Sequence, residues 1–221
     1  MIPFINIHTH HDVINVNEIS LFNILELSLD KKTQFEFYSV GIHPWYINET
    51  LIDEQFVSLQ SLSNSVSCLA IGECGLDKLK GPDLNVQESI FERQINLAIK
   101  LNKPVLVHCV QAFDRLLAII KKNKNKVVFI VHGFNQKMQI AQQLLQLGAY
   151  LSFGAALLND KNEKLKIIFE QIPLDRIFLE NDDAAIPIKQ IYDAAAVIKK
   201  CDTHVVKEII FANYKQVFLH E

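Results

Sequence analysis

The sequence predicts an α/β fold, a compact and distorted (β/α)8 TIM barrel. Three observations carry that expectation. Short β-branched apolar runs alternate with longer amphipathic segments almost to the end of the chain. Such alternation implies parallel pairing, because each parallel neighbour needs a crossover. Ionisable residues recur at or just past the carboxyl ends of the apolar runs. No linker, repeat or low-complexity segment interrupts 1–221, so a single domain is expected.

In chain order, the first strand is Ile2–Ile7. From Glu18 to Asp30 the pattern is two-sided. Ile19, Leu21, Leu25, Leu27 and Leu29 alternate as in a strand, whereas Leu21, Ile24, Leu25 and Leu29 also fit a helix. The strand is preferred, with a short connection into a strand at Phe35–Val40. Helix Leu51–Leu62, strand Val66–Ile71 and helix Val86–Lys100 follow. Pro104 then opens strand Val105–Val107, before helix Ala112–Lys122 and strand Val127–Val131. Helix Gln136–Leu147 is stopped by Gly148 and leads to strand Tyr150–Phe153. Helix Glu163–Gln171, strand Ile177–Leu179 and helices Ile188–Lys199 and Thr203–Leu219 complete the chain. Eight strands result, with one crossover helix missing near the N-terminus. A barrel of this kind typically needs about 250 residues, and this chain has 221.

Hydrophobic residues at 49% and charged residues at 21% exclude a disordered chain. The formal charge of −3 gives no global attraction to nucleic acid, so a polyanionic substrate would need local basic groups or bound cations. The four cysteines form no CxxC pair and are expected as free thiols in a reducing compartment. MIPFINIHTHHD has no basic leader, and no apolar run approaches the roughly 18 residues of a membrane span. A cytoplasmic protein without membrane contact or an obligate protein partner is expected.

His8 and His10 end the first strand, and His43 follows the Phe35 strand. Glu73, His108, His132 and the Glu180–Asp182 pair end four more. In a parallel barrel these ends open on one face, where active sites are built. His8 and His10 are two apart, so both side chains leave one face of the strand and Thr9 leaves the other. The same parity turns Glu73 and His108 inward and Cys74 and Cys109 outward, as small apolar residues beneath the helices. A single strand-end histidine is more often hydrogen-bonded filler than ligand. Glu73 is costlier, since a carboxylate in the apolar stretch CLAIGECGL needs compensating charge. Taken as a set, the residues favour a shared cation. His11, His204 and His220 take bland roles, and Lys121, Lys122, Lys124 and Lys126 read as a solvated helix end. Phe134 and Trp45 read as rim packing before base-stacking platforms.

HTHHD, GIHPW at 41–45, IGECGLD at 71–77, KPVLVHC at 103–109, VHGF at 131–134, LSFGAAL at 151–157, FLENDDA at 178–184 and NYKQVF at 213–218 together resemble the TatD family of metal-dependent hydrolases and deoxyribonucleases. The resemblance implies a distorted (β/α)8 barrel with two divalent ions, among which magnesium, manganese and zinc are not distinguished. It implies one ion held by His8, His10, Glu73 and Asp182, and a second by Glu73, His108 and His132, with Glu73 bridging. Asp182, Glu73 and His43 would be the catalytic residues. Glu180 would orient a histidine, and Trp45 would lie in the supporting shell or against substrate.

Four positions depart from the family pattern. Asn6 stands where Asp is usual, Trp45 replaces the second His of HPH, Val110 replaces an Arg, and Asn181 interrupts ETD. The lost His and Arg look like groups that could touch a phosphate. The resemblance implies DNA as substrate, cut by a 3′–5′ deoxyribonuclease, whereas these losses favour the alternative, a small phosphoester, amide or lactone. A catalytically silent metal-binding protein is the third possibility, against which the intact ligand set argues.

Overall fold

The computed structural model describes residues 2–11, 17–25, 27 and 35–221. Its strands are β1 Phe4–Thr9, β2 Glu18–Ile24, β3 Phe37–Val40, β4 Cys68–Asp77, β5 Val105–Val110, β6 Phe129–Val131, β7 Tyr150–Phe153 and β8 Ile177–Leu179. Its helices are α1 Ile52–Ser63, α2 Leu84–Leu101, α3 Phe113–Lys122, α4 Met138–Gln146, α5 Glu163–Gln171, α6 Ile188–Lys199 and α7 Thr203–Tyr214. The strands stand in the sheet in chain order. β3 with β4, β4 with β5, β5 with β6, and β7 with β8 pair in parallel.

β7, β8, α5 and α6 match the sequence boundaries. The ambiguous segment contains strand β2. The missing crossover helix falls on the connection through 26 and 28–34, which lies outside the described residues. The final helix stops at Tyr214, and Lys215–Leu219 continues as a π-turn. The largest departure is β4, which runs six residues past the expected end at Ile71. Among the described residues no helix is long and apolar enough to cross a membrane.

The chain divides into two compact units, Met1–Leu21 with His132–Glu221, and Phe22–Val131. In the first, β1 is anchored to α6 by Tyr192. Its hydroxyl accepts the Ile5 N–H at 3.0 Å and donates to the Ile5 carbonyl at 2.9 Å. Phe4 packs edge-on against the same ring at 5.0 Å. Phe153 meets Phe134 and Phe169 edge-on, and Phe178 meets Tyr150 and Phe218. Each such buried side chain is worth about 1.5–3 kcal/mol relative to exposure, so this aromatic layer holds β7 and β8 rigidly beneath the residues that follow them.

In the second unit, Ile24, Tyr38, Val40, Leu59, Leu62 and Ile90 build a core between the strands and helices α1 and α2. Two glutamines of α2 then grip the chain beside chemistry-bearing residues. Gln94 accepts the Ile42 N–H at 2.7 Å and donates to its carbonyl at 3.1 Å, one residue before His43. Gln87 does the same to Asp77, at 2.7 and 2.9 Å. Gly75 has φ +148°, and a Cβ there would stand 2.0 Å from the His108 carbonyl oxygen. Only glycine lets β4 and β5 approach this closely at His108.

Candidate metal centre

In the unit containing both termini, the backbone after β8 returns to β1. The Asp182 N–H donates to the His8 carbonyl at 3.1 Å, and the Asp182 carbonyl accepts the His10 N–H at 3.2 Å. Asp182 itself has φ +50°. Its Oδ1 consequently lies 3.3 Å from His8 Nε2 and 3.4 Å from His10 Nε2. The His132 ring stands 4.5 Å from that of His8. His8, His132 and Asp182 each offer one donor atom, all within 4.8 Å of one another, and so do His10, Asp182 and Asp183. Partial burial pushes the Asp182 carboxyl up. Hydrogen bonds from His10 and His8, with the charges of His8 and His132, outweigh it and hold the group well below the usual carboxylate range.

Glu180 is fully buried. Its Oε1 accepts the Gly133 N–H at 2.6 Å and lies 3.4 Å from His132 Nδ1. Its Oε2 has no hydrogen-bond partner among the described residues. A buried carboxylate in that condition is tolerable only beside compensating positive charge, which suits a cation at this cluster. Asn6 and Asn181, two of the departures from the family pattern, bind each other. Asn6 Nδ2 donates to Asn181 Oδ1 at 2.9 Å, and the Asn181 N–H donates to Asn6 Oδ1 at 3.2 Å.

The middle unit holds a second cluster. His108 Nδ1 is 2.8 Å and His43 Nε2 is 3.3 Å from Glu73 Oε1. Asn23 fixes the carboxylate from behind, donating to Oε2 at 3.1 Å and accepting the Glu73 N–H at 2.9 Å. His43, Glu73 and His108 also offer donor atoms within 4.8 Å. Their chemistry differs, however. His43 Nδ1 accepts the Trp45 N–H at 3.1 Å, so the neutral ring carries its proton on Nε2 and donates it towards Glu73. His43 is therefore a hydrogen-bond donor in this arrangement, whereas Glu73 and His108 fit a divalent cation.

Asp77 and Asn23 were not singled out in the sequence. Asp77 Oδ2 accepts the Trp45 indole N–H at 2.6 Å and lies 3.1 Å from His108 Nε2. Burial raises the Asp77 carboxyl, but hydrogen bonds from Trp45, the Leu79 amide and His108 bring it below its ordinary value. The signal was present. Glu73, Gly75 and Asp77 are two apart, so the parity that turned Glu73 inward also selects Asp77 once β4 is continued. Trp45 is 39% exposed, with the Lys80 ammonium 3.7 Å above its ring. Phe134 is buried against Phe153. Burial pushes the Cys68 thiol up to about 11 and Cys109 up to about 12, and raises Cys74 further, so these remain neutral thiols.

A family model described as TatD related DNase matches residues 12–219. A metal-dependent hydrolase of Buchnera aphidicola (subsp. Acyrthosiphon pisum) is 29% identical over 221 residues, covering 90% of this chain and 82% of its own. YcfH of Escherichia coli K12, also named as a metal-dependent hydrolase, is 29% identical over 196 residues, with 82% and 73% covered. A protein of Enterocytozoon bieneusi whose name marks it as a TATDN1-type deoxyribonuclease homologue is 33% identical over 183 residues, covering 78% and 64%. Among solved structures, the TatD homologue YjjV of Escherichia coli K12 superposes with a TM-score of 0.80 at 20% identity, over 98% of both chains. A TatD family hydrolase of Entamoeba histolytica gives 0.79 at 17% identity, over 99% of both. The likeness shows the fold to be the (β/α)8 barrel that the alternating strands and helices predicted.

Proposed function

This chain belongs to the TatD family of metal-dependent hydrolases, and we propose that it hydrolyses phosphodiester bonds in DNA, as a 3′–5′ deoxyribonuclease served by two divalent ions. The observation that carries the proposal is the presence of two clusters in which imidazoles and carboxylates offer donor atoms within 4.8 Å. Divalent ions, when bound, supply Lewis acidity toward a phosphoryl oxygen and a water acidic enough to serve as nucleophile near neutral pH. His8, His10 and Asp182 hold one ion in this proposal, and Glu73 and His108 serve the other. The bridging role of Glu73 and the assignment of His132 to the second ion rest on the family resemblance.

The protein's own groups divide the remaining work. Asp182 is held ionised well below the usual carboxylate range, which makes it a weak base and suits it to orient a water by accepting its hydrogen bond. His43 carries its proton on Nε2, 3.3 Å from Glu73 Oε1, and in this reading substrate takes over that donor for a phosphate oxygen or a leaving group. The name of the Enterocytozoon relative points to the same substrate.

Hydrolysis of a small phosphoester, amide or lactone is the second reading. It is favoured by the formal charge of −3, by Val110 in place of the family's Arg, and by Trp45, whose indole is tied to Asp77. Single-stranded DNA labelled at one end, assayed with and without chelator, separates the two. Chelator-sensitive release of mononucleotides is expected, and turnover of small esters or lactones alone would favour the second reading. Glu73→Ala should abolish metal loading and activity together, and full activity in that variant would refute the bridging role.

A further inference from the structure

Asp77 closes β4 and is 3% exposed. Its two carboxylate oxygens have separate partners. Oδ1 accepts the Leu79 and Lys80 amides at 2.8 and 3.1 Å, forming the turn that follows the strand. Oδ2 accepts the Trp45 indole N–H at 2.6 Å and lies 3.1 Å from His108 Nε2. The Asp77 backbone is secured independently by Gln87. An aspartate needed only to end the strand would use Oδ1 alone.

His108 is thus flanked by carboxylates at both ring nitrogens, Asp77 at Nε2 and Glu73 at Nδ1, the latter at 2.8 Å. Oxygen and nitrogen lone pairs cannot face each other at these distances. Each nitrogen therefore carries a proton, or a cation takes a proton's place on one side. Nε2 meets an oxygen that also accepts the Trp45 indole N–H and belongs to a side chain fixed by the turn. Nδ1 faces Glu73, itself fixed by Asn23.

We propose that Asp77 is a positioning residue that holds His108 in its Nε2–H tautomer, so that Nδ1 and Glu73 together form a cation-binding donor pair. The inference rests on the metal-hydrolase reading above and assigns a role to a residue outside the ligand set. Carboxylate partners of this kind fix ring orientation and raise ligand basicity, and losing one typically costs about 10- to 100-fold in metal affinity.

Asp77→Asn is the discriminating change. The amide oxygen can keep both turn N–H bonds, while an NH2 group replaces the acceptor facing His108 and Trp45. Affinity of the full chain for Zn2+ or Mn2+ would be measured by competition with a chromophoric chelator. The expected result is affinity weaker by about 10- to 100-fold, with the thermal midpoint in excess chelator close to that of the parent protein. Unchanged affinity in Asp77→Asn overturns the proposal. So does a second measurement that needs no variant, the 15N NMR spectrum of the zinc-loaded protein, if it shows His108 protonated at Nδ1 instead of Nε2. Should the parent protein bind no divalent ion, the metal-hydrolase reading falls as well. Tight parental binding with an unaffected Asp77→Asn sinks this inference alone.

Discussion

At position 6 the distinction between a carboxylate and a carboxamide is decided by a neighbour. Asn6 Nδ2 donates to Glu18 Oε1 at 3.1 Å and to Asn181 Oδ1 at 2.9 Å, and Glu18 also accepts the Ser20 hydroxyl at 2.6 Å. An aspartate at position 6 would set an oxygen against two oxygens, one of them charged. Asn6→Asp should cost about 1–3 kcal/mol in urea unfolding. Glu18→Gln in the same chain should recover most of it, because the new amide can donate to the aspartate. A stable single variant, or a double variant with no recovery, would show that the network is not what selects asparagine. The departure from the family's Asp therefore makes local sense only when Glu18 is included, and no rule of spacing links residues 6, 18 and 181. By contrast, the shared face of His8 and His10 was legible, since a period of two is a property of the strand itself.

At the scale of elements, β4 shows where sequence patterning stops. Gly72, Glu73 and Gly75 have the composition of a strand end, two flexible residues and a charge, and the apolar run itself ends at Ile71. The strand continues to Asp77 because those glycines are what let β5 come close. A steric requirement set by another strand leaves no periodic trace in its own segment. The extension matters, because it carries Asp77 to His108. Gly75→Ala should be among the most damaging small substitutions in the chain. Its φ of +148° is strained for any side chain, and the added Cβ would stand 2.0 Å from a backbone oxygen that has no rotamer to retreat into. A loss of at least about 3 kcal/mol is expected from strain and overpacking together. A urea midpoint equal to the parent's would mean that β4 and β5 can separate at little cost.

At the scale of the molecule, barrel class was readable from order along the chain, whereas spacing did not group the strand-end residues and only the family resemblance assigned them to two ions. By spacing, five histidines and several acids had equal claim to one another. Their partners are set by backbone events such as the pairing of Asp182 with Thr9, and by donor assignments such as the Trp45 amide at His43. Those events also fix the pH response of the metal-free protein. Asp77 and Asp182 both lie below their ordinary values, so the unfolded chain binds protons that the folded chain refuses. Stability is present above an unfolded carboxyl value of about 4 and is lost as pH falls through the lower folded values. Chelated protein should unfold progressively below about pH 4, and Asp182→Asn should flatten that slope. An unchanged slope would mean that the ion pairs of Asp182 with His8 and His10 do not persist in solution.

Metal ions should act on the whole fold for a related reason. His8, His132 and Asp182 are remote in sequence, as are Glu73 and His108, so the unfolded chain has no preformed donor set and an ion binds the native state selectively. Binding of that kind stabilises by about 2.7 kcal/mol per site when free ion stands at about a hundred times the dissociation constant. For a chain of this length that is a rise of roughly 5–10 °C in thermal midpoint. Calorimetry of the parent protein in chelator and in excess Mn2+ or Zn2+ measures it directly. In Glu73→Ala, where metal loading should be abolished, the rise should disappear, because the donor paired with His108 Nδ1 is gone while the midpoint in chelator changes much less. A parent midpoint indifferent to both ions would mean that the clusters are hydrogen-bonded networks complete without a cation, and that the folded state gains nothing from holding one.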